Sequence, residues 1–292
     1  MSGNTFKISK GNGGLGKITV THKSGSLIEV YFKGAHLVSW KDPKGQEGIY
    51  LSPKSYFDSE RPIRGGIPLV FPQFGPGDLP PHGFARLAVW KMLRQEILPD
   101  GSSALTLGLS DTEWTRGMWN HEFSLEYKLI LRAPPGVGSS LVCQFTVKNT
   151  GPLPFDFAFL YHTYYYLSDL GSAKVTGLKN YKVTDSINGG DLASNDPLDF
   201  HIAEKGLMNL RVNDTHCGIV LTDTVLNRSL SITRSANQSN MVMWNPGPGD
   251  RNADFTEDSY RHFICVEPGA VAPKNLLTPG ESIVFSQILA VS

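Results

Sequence analysis

The chain has few cysteines and no long apolar run, and both shortages exclude classes of protein. Its 292 residues include only Cys143, Cys217 and Cys265, which are far apart and outside any C-x-x-C spacing. This usage predicts neither a disulfide framework nor a zinc site, and it favours a reducing compartment. The first residues lack the apolar core of a signal peptide, and no run approaches the ~18 apolar residues of a membrane span. We therefore expect a cytoplasmic protein.

Net charge is also lacking, because Lys+Arg and Asp+Glu both number 27. A balanced chain has no overall field that would favour nucleic acid or an anionic membrane surface. We expect neither as a partner. An anionic ligand would have to be held by a local cluster of basic side chains.

Helical periodicity is nearly absent, whereas short segments that alternate polar and apolar residues are frequent. Turn formers such as Asn149-Thr150-Gly151 and Pro279-Gly280 separate them. Period-two alternation with frequent turns is typical of antiparallel sheets. With no linker or charge block, the sequence predicts an all-β fold, one large antiparallel β-sandwich over residues 1–292, in which residues 1–16 form a loosely ordered segment or an edge strand. The alternating segments are residues 17–22, 27–32, 124–132, 140–148, 218–222, 229–233 and 282–289.

Residues 61–86, RPIRGGIPLVFPQFGPGDLPPHGFAR, form the longest stretch in which proline and glycine interrupt regular structure. Long irregular loops in compact domains are often binding loops. This one carries Arg61, Arg64 and Arg86 against Asp78 alone. Guanidinium groups suit phosphate, so the stretch is either an anion-binding loop or a surface loop with solvated arginines.

Two further segments carry candidate acid/base groups. In FDFAFLYHTYYYL, residues 155–167, His162 lies within a predicted aromatic strand, and a half-buried imidazole near its ordinary pKa of about 6.5 would be a competent acid. In FICVEPG, residues 263–269, Glu267 lies where a strand is predicted to enter a Pro-Gly turn, and partial burial would raise its pKa. A satisfied core histidine and an exposed turn glutamate are the alternatives. Trp244-Asn245-Pro246 is predicted to be an aromatic turn, suited to wall packing or to sugar stacking.

The motifs RGGIPLVFPQFG, HGFAR, YHTYYYL, WNP and CVEPG, in this order, resemble those of the hexose-6-phosphate mutarotases of the aldose 1-epimerase-like group. The resemblance extends from GAHLVSWK at residue 34 to the last predicted strand. It implies a galactose mutarotase-like β-supersandwich and an enzyme that interconverts the anomers of D-glucose 6-phosphate and related hexose 6-phosphates without a metal or a cofactor. It implies that His162 and Glu267 are the catalytic pair and that Arg64 and Arg86 bind the phosphate.

The resemblance also implies further contacts with a small-molecule sugar phosphate. Asp185, in NYKVTDS, is similar to the family's acceptor for a sugar hydroxyl, and we expect His82 to donate to a ring or hydroxyl oxygen. Related sequences carry Gln where this chain has Pro81, so one expected contact with substrate is missing. We expect a monomer.

Three alternatives stay open. One is an aldose 1-epimerase for unphosphorylated sugars, which would gain support if Arg64 and Arg86 pointed away from the pocket. The second is a carbohydrate-binding module without turnover, which would not require both His162 and Glu267. The third is a structural β-sandwich that mediates protein contacts.

Overall fold

The computed structural model describes residues 3–133, 138–178, 181, 183–187, 189–192, 208–213, 218–249 and 252–291. Strands make up 52% of the structure and helix 6%, which confirms the all-β prediction. The α-helix, α1, is short (Glu113–Met118) and is capped by Thr112. In the part of the chain that is described, no helix is long and apolar enough to cross a membrane.

The described residues form twenty strands, and every pair of these strands that hydrogen-bonds is antiparallel. Short 3-10 turns lie at Asn12–Gly14, Leu170–Ser172 and Ser259–His262. The strands are β1 (Thr5–Lys10), β2 (Gly16–Thr21), β3 (Leu27–Tyr31), β4 (His36–Lys41), β5 (Leu69–Val70), β6 (Lys91–Ile97), β7 (Ser103–Ser110), β8 (Phe123–Arg132), β9 (Ser140–Asn149), β10 (Phe155–Tyr161), β11 (Tyr164–Tyr166), β12 (Ala173–Thr176), β13 (Val183–Asp185), β14 (Asp191–Leu192), β15 (Met208–Asn213), β16 (Ile219–Asp223), β17 (Arg228–Arg234), β18 (Asn240–Asn245), β19 (Phe263–Leu277) and β20 (Ser282–Val291).

Three sheets result from this pairing. The N-terminal sheet has the order β1-β2-β3-β4, with β1 at its edge. The sheet that carries the candidate site, called the site sheet here, has the order β14-β13-β15-β18-β19-β10-β5, and β11 pairs with β19 beside β10. The outer sheet has the order β12-β16-β17-β20-β9-β8-β7-β6. Neighbours that are distant in sequence, such as β10 and β19, bring residues about a hundred positions apart into register.

The core lies between the site sheet and the outer sheet. Phe159 of β10 stacks on Phe145 of β9, with ring centroids 4.1 Å apart, and on Phe285 of β20 at 4.9 Å. The hydroxyl of Tyr161 lies 3.1 Å from the carbonyl oxygen of Cys143 and 3.0 Å from that of Phe285, and it can donate to either across the same interface. The odd-numbered aromatic residues of β10 therefore face the core, and strand alternation turns its even-numbered residues to the opposite face.

The same alternation divides β19 and β18. Ile264 and Val266 belong to the main core cluster, whereas Cys265 belongs to a separate aromatic cluster on the opposite face. Glu267 is in register with Val242, and Cys265 with Trp244. One face of the site sheet thus packs into the core, and the other presents Glu267 and its neighbours.

Three local predictions are wrong. Trp244 and Asn245 lie in β18 and not in a turn. His162 lies between β10 and β11, not within a strand, and Glu267 lies inside β19, which continues through Pro268. The register that pairs Leu160 with Gly269 places Pro268 opposite Tyr161, the last residue of β10. The carbonyl of Tyr161 accepts from the amide of Thr163, so the missing N–H of proline does not leave that carbonyl without a donor.

The loop that carries the arginines requires glycine at two positions. Gly65 has a φ of +100°, and a Cβ there would lie 2.5 Å from the carbonyl oxygen of Tyr50. Gly83 has a φ of +73°, and its Cβ would lie 2.1 Å from the carbonyl oxygen of Phe71. The glycines of the RGG and HGF motifs therefore determine the backbone conformation next to Arg64 and His82.

Candidate active site

The structure brings His162 and Glu267 together. The Nδ1 atom of His162 lies 3.2 Å from Oε1 of Glu267, although 105 residues separate them in sequence. Neither atom has a hydrogen-bond partner of good geometry. The ring oxygen and the anomeric hydroxyl of a pyranose are attached to one carbon, so two groups this close can face both oxygens at once.

Burial shifts the pKa values of the two groups in opposite directions. Glu267 is 2% exposed and His162 8%. Burial raises the pKa of Glu267 well above its usual value. Burial, followed by electrostatic interaction with His82, Arg86 and Arg64, lowers the pKa of His162 well below its usual value. The expectation of an ordinary histidine pKa is wrong, because this imidazole is buried and not half-buried.

His82 lies against His162, with ring centroids 5.6 Å apart. Burial, Arg86 and Arg64 lower the pKa of His82 to about 4, so it is neutral at pH 7. Its Nδ1 accepts from the amide of Gly75 at 3.3 Å, which places the proton on Nε2. Its φ is +65°, a conformation that non-glycine residues seldom adopt and that often marks a functional position. His82 can therefore donate one hydrogen bond to an oxygen in the pocket.

Arg64 is held from two sides. Its Nε donates to Asp254 at 2.9 Å, and its Nη1 donates to the hydroxyl of Tyr164 at 3.3 Å. The ring of Tyr164 in turn stacks on His162, with centroids 4.9 Å apart and planes within 6°. Arg64 therefore points toward the pair and does not extend into solvent.

Arg86 has a different environment. Its Nη2 donates to the carbonyl of Pro81 at 2.5 Å, and its buried Nε has no partner. No carboxylate pairs with it among the residues that the structure describes. Burial, together with Arg64, lowers its pKa to about 10. Two guanidinium groups therefore lie near His162, and the charge of Arg86 is uncompensated there.

Comparison with known proteins assigns the family. The family model described as aldose 1-epimerase matches residues 16–290. A protein of Cenchrus ciliaris named "Putative glucose-6-phosphate 1-epimerase" is 30% identical over 282 residues, which are 92% of this chain and 82% of that protein. A protein of Escherichia coli K12 with the same name is 30% identical over 89% of this chain and 85% of its own length.

The chain belongs to the aldose 1-epimerase family. It is thus an enzyme of the epimerase class. A crystal structure from Salmonella typhimurium, described as a "putative mutarotase", superposes with a TM-score of 0.84 at 26% identity and covers 98% of this chain and 93% of that one. A galactose mutarotase-like protein from Clostridium acetobutylicum gives a TM-score of 0.77 at 16% identity, with 99% of both chains covered. These likenesses confirm the galactose mutarotase-like fold.

In this member of the aldose 1-epimerase family, the register places Asp185 apart from the His162–Glu267 pair. Glu267, Val242, Arg211 and Thr184 form one row across the site sheet, so their side chains share a face. Asp185, one residue further, turns to the opposite face, and its Oδ1 accepts from the amide of Ile187 at 2.8 Å. Its role as an acceptor for a sugar hydroxyl stays a prediction.

Several groups at the site were missed by sequence reasoning. Tyr164 could have been found, because it follows His162 by two positions and so shares its face. Asp254 could not, because 190 residues separate it from Arg64. Trp244 meets the ring of His162 edge-on at 5.8 Å, which agrees with wall packing, and its role as a sugar-stacking platform stays a prediction.

Among the described residues, one group of three side chains has ligand atoms close enough together to hold a metal ion. The ligand atoms of His162, Cys265 and Glu267 lie within 4.8 Å of one another. Nitrogen, sulfur and oxygen donors suit zinc, but a cysteine binds metal as the thiolate. Burial and Glu267 raise the pKa of Cys265 well above its usual value, which opposes that state.

A separate cleft of about 480 Å³ lies outside this group and contains neither His162 nor Glu267. Tyr50, which stacks on Phe263 of β19, is part of its wall, together with Ser39, Glu47 and Tyr166. Glu47 and His262 also line it, but Glu47 accepts from Ser39 and from the amides of Trp40 and Ile49, and Nδ1 of His262 bonds with the carbonyl of Ser168, so both groups are engaged within the fold.

Proposed function

We propose that the protein is a hexose-6-phosphate mutarotase that interconverts the α and β anomers of D-glucose 6-phosphate and related sugar phosphates. The observation that carries the proposal is the position of two arginines, one without a carboxylate partner, beside a buried histidine–glutamate pair. The names of the relatives from Cenchrus ciliaris and Escherichia coli agree with this substrate.

The reaction requires two proton transfers at one carbon. Glu267, as carboxylate, takes the proton of the anomeric hydroxyl, and His162, as imidazolium, gives a proton to the ring oxygen. The bond between C1 and the ring oxygen breaks, and C1 becomes an aldehyde. Rotation about C1–C2 and ring closure, with the two roles exchanged, give the other anomer. All protons are supplied by the pair, so this chemistry requires no metal and no redox cofactor.

The phosphate is the part of the substrate that Arg64 and Arg86 are expected to hold. A guanidinium group forms short, charge-assisted hydrogen bonds with phosphate oxygens. Binding at a position remote from C1 orients the reacting carbon against the pair. The Nε2–H of His82 is expected to donate to a ring or hydroxyl oxygen.

The test compares anomer exchange of D-glucose 6-phosphate and D-glucose by two-dimensional NMR. We expect kcat/KM for the phosphate ester to be far higher, and Arg86→Ala to lower it by roughly 10- to 150-fold more than that of free glucose, the value of one charge-assisted contact. Arg61→Ala is the matched control, because Arg61 on the same loop pairs with Asp58 and lies on the ring of Tyr56. Equal losses on both sugars would contradict the phosphate assignment and favour an aldose 1-epimerase for free sugars.

The acid/base roles are tested with His162→Ala and Glu267→Gln. Each variant should lose most exchange activity, because one proton transfer cannot open the ring without its counterpart. Binding of the sugar phosphate, measured by calorimetry, should largely survive. Retention of near-full exchange by either variant would favour a carbohydrate-binding module in which the pair has no catalytic role.

A further inference from the structure

The groups that face His162 are mostly cationic or neutral. His82 lies in the loop of residues 61–86, called the arginine loop here, and packs against the ring of His162. Arg64 and Arg86 of the same loop supply positive charge, and Tyr164 of β11 stacks on the ring. Cys265 and Glu267 face the ring from β19. Asp254 offsets the charge of Arg64 at 2.9 Å, but nothing among the described residues offsets that of Arg86.

Without substrate, this environment keeps the pair uncharged. The Nδ1 and Oε1 atoms are 3.2 Å apart, yet they form no hydrogen bond of good geometry with each other or with any other described group. A buried carboxylate without a hydrogen bond is costly, as is a buried imidazolium close to Arg86. The roles assigned above nevertheless require a carboxylate and an imidazolium.

We propose that a phosphate dianion between Arg64 and Arg86 switches the His162–Glu267 pair into its charged form, so that the dianion activates the enzyme even when it is not attached to the sugar. This inference rests on the proposed function and concerns how the substrate's phosphate acts. One proton moves from the carboxyl group of Glu267 to Nδ1 of His162, and no proton enters or leaves the site.

The direction of the effect follows from the charges. With Arg64 paired to Asp254, the excess near His162 is one positive charge, that of Arg86. The arginines contribute to the lowered pKa of His162, whereas burial is the cause of the raised pKa of Glu267. A dianion bound at the arginines changes the excess to one negative charge, and it therefore favours the imidazolium more than it opposes the carboxylate. Coulomb interactions in a partly desolvated site act over several ångströms, so the phosphate need not touch the ring.

The uncharged pair could also catalyse ring opening, with the acid and base roles of His162 and Glu267 exchanged. Neutral His162 would take the proton of the anomeric hydroxyl, and protonated Glu267 would give its proton to the ring oxygen. That route also balances, but it does not require the phosphate to change the ionisation of the pair. The protonation state of Glu267 in the complex therefore decides between the two.

Infrared difference spectroscopy reports that state directly. The probes are 1,5-anhydroglucitol 6-phosphate, which lacks the anomeric hydroxyl and cannot react, and 1,5-anhydroglucitol. We expect the carbonyl band of the protonated carboxyl to disappear with the phosphate analogue and to persist with the free analogue. Glu267→Gln should show no such band. A band that persists when calorimetry shows the phosphate analogue to be bound would overturn the proposal and establish the reversed roles.

The second test separates the dianion from the sugar. At about pH 8, phosphite dianion should raise kcat/KM for anomer exchange of free D-glucose by roughly 10-fold or more, the scale expected for a dianion several ångströms away. Chloride at matched ionic strength should not. The ratio of rates with and without phosphite should fall to about one in Arg86→Ala and stay unchanged in Arg61→Ala.

The outcomes distinguish the inference from the proposed function. If D-glucose 6-phosphate is exchanged but phosphite fails to compete with it, or competes without activating free glucose, the switch is wrong and the mutarotase assignment stands. If D-glucose 6-phosphate is not exchanged at all, the assignment is wrong, and the infrared experiment still reports whether a bound phosphate ionises the pair.

Discussion

His36 provides a quantitative test of how the fold depends on a neutral buried histidine. It is fully buried at the start of β4, and its Nε2 lies 2.8 Å from the carbonyl oxygen of Gly65, to which it donates as the neutral imidazole. Burial, with Arg86 and Lys33 nearby, lowers its pKa to about 4 from 6.5. The perturbation is His36→Gln, which keeps an N–H donor and removes the titration.

The sign follows from proton linkage. A histidine whose folded pKa is below its unfolded pKa binds protons more readily when unfolded, so stability rises with pH between the two values. The contribution of His36 is complete above about pH 6.5 and is lost as the pH falls toward 4. A shift of this size gives a loss of roughly 2.5 kcal/mol in the free energy of unfolding between about pH 7.5 and about pH 4.5.

Urea denaturation of both proteins at the two pH values measures the effect. His82 has a similarly lowered pKa, so the wild type should lose more than His36 alone accounts for. The decrease in unfolding free energy should be smaller in His36→Gln by roughly 2.5 kcal/mol, whatever the stability of the variant at neutral pH. Equal decreases in the two proteins would refute the argument, as would an NMR titration showing His36 protonated near pH 6.

Two more predictions concern the site sheet. Tyr164→Phe keeps the ring on His162 but loses the contact with Arg64, so KM for hexose 6-phosphate should rise about 3- to 10-fold with kcat retained, whereas Tyr164→Leu should also lower kcat. Steady-state exchange kinetics measure both, and equal kcat values for the two variants would contradict a positioning role of the ring. A Cβ on Gly269 would lie 2.7 Å from Cβ of Leu160 and 2.7 Å from the carbonyl oxygen of Phe159, so Gly269→Ala should cost about 2 kcal/mol or more. The control Gly117→Ala, with open space around its Cβ, should not destabilise the protein in the same denaturation assay.

Much of the fold could be predicted from the sequence, because alternation along strands such as β8 and β9 directly reflects burial on one face. The motif order also identified His162, Glu267, Arg64 and Arg86, which the structure brings to one place. The degree of burial of His162 could not be predicted from the sequence. Whether His162 is half-buried or buried depends on residues from β11, β19 and the arginine loop, which only the tertiary structure assembles.

The course of the chain at Glu267 shows a second limit. A Pro-Gly pair normally indicates a turn, and Pro268-Gly269 was interpreted that way. The missing amide of proline is tolerated because the carbonyl of Tyr161, opposite Pro268, accepts from the amide of Thr163. That pairing belongs to a segment about a hundred residues away, and no local pattern at 263–269 contains it.

The two faces of the site sheet have different roles: one packs into the core, and the other carries Glu267 and its neighbours. Protein engineering can use this separation. Along β10, Phe157, Phe159 and Tyr161 bear on the outer sheet, whereas Leu160 faces the side of the active site. Alternate residues of β10 therefore contribute to different parts of the molecule: one set packs the core between the sheets, and the other lies on the face that carries Glu267. A mutational library restricted to alternate codons of β10, β18 and β19, and sparing the tightly packed Leu160 and Gly269, would vary the face that carries His162 and Glu267 while leaving the main core cluster unchanged.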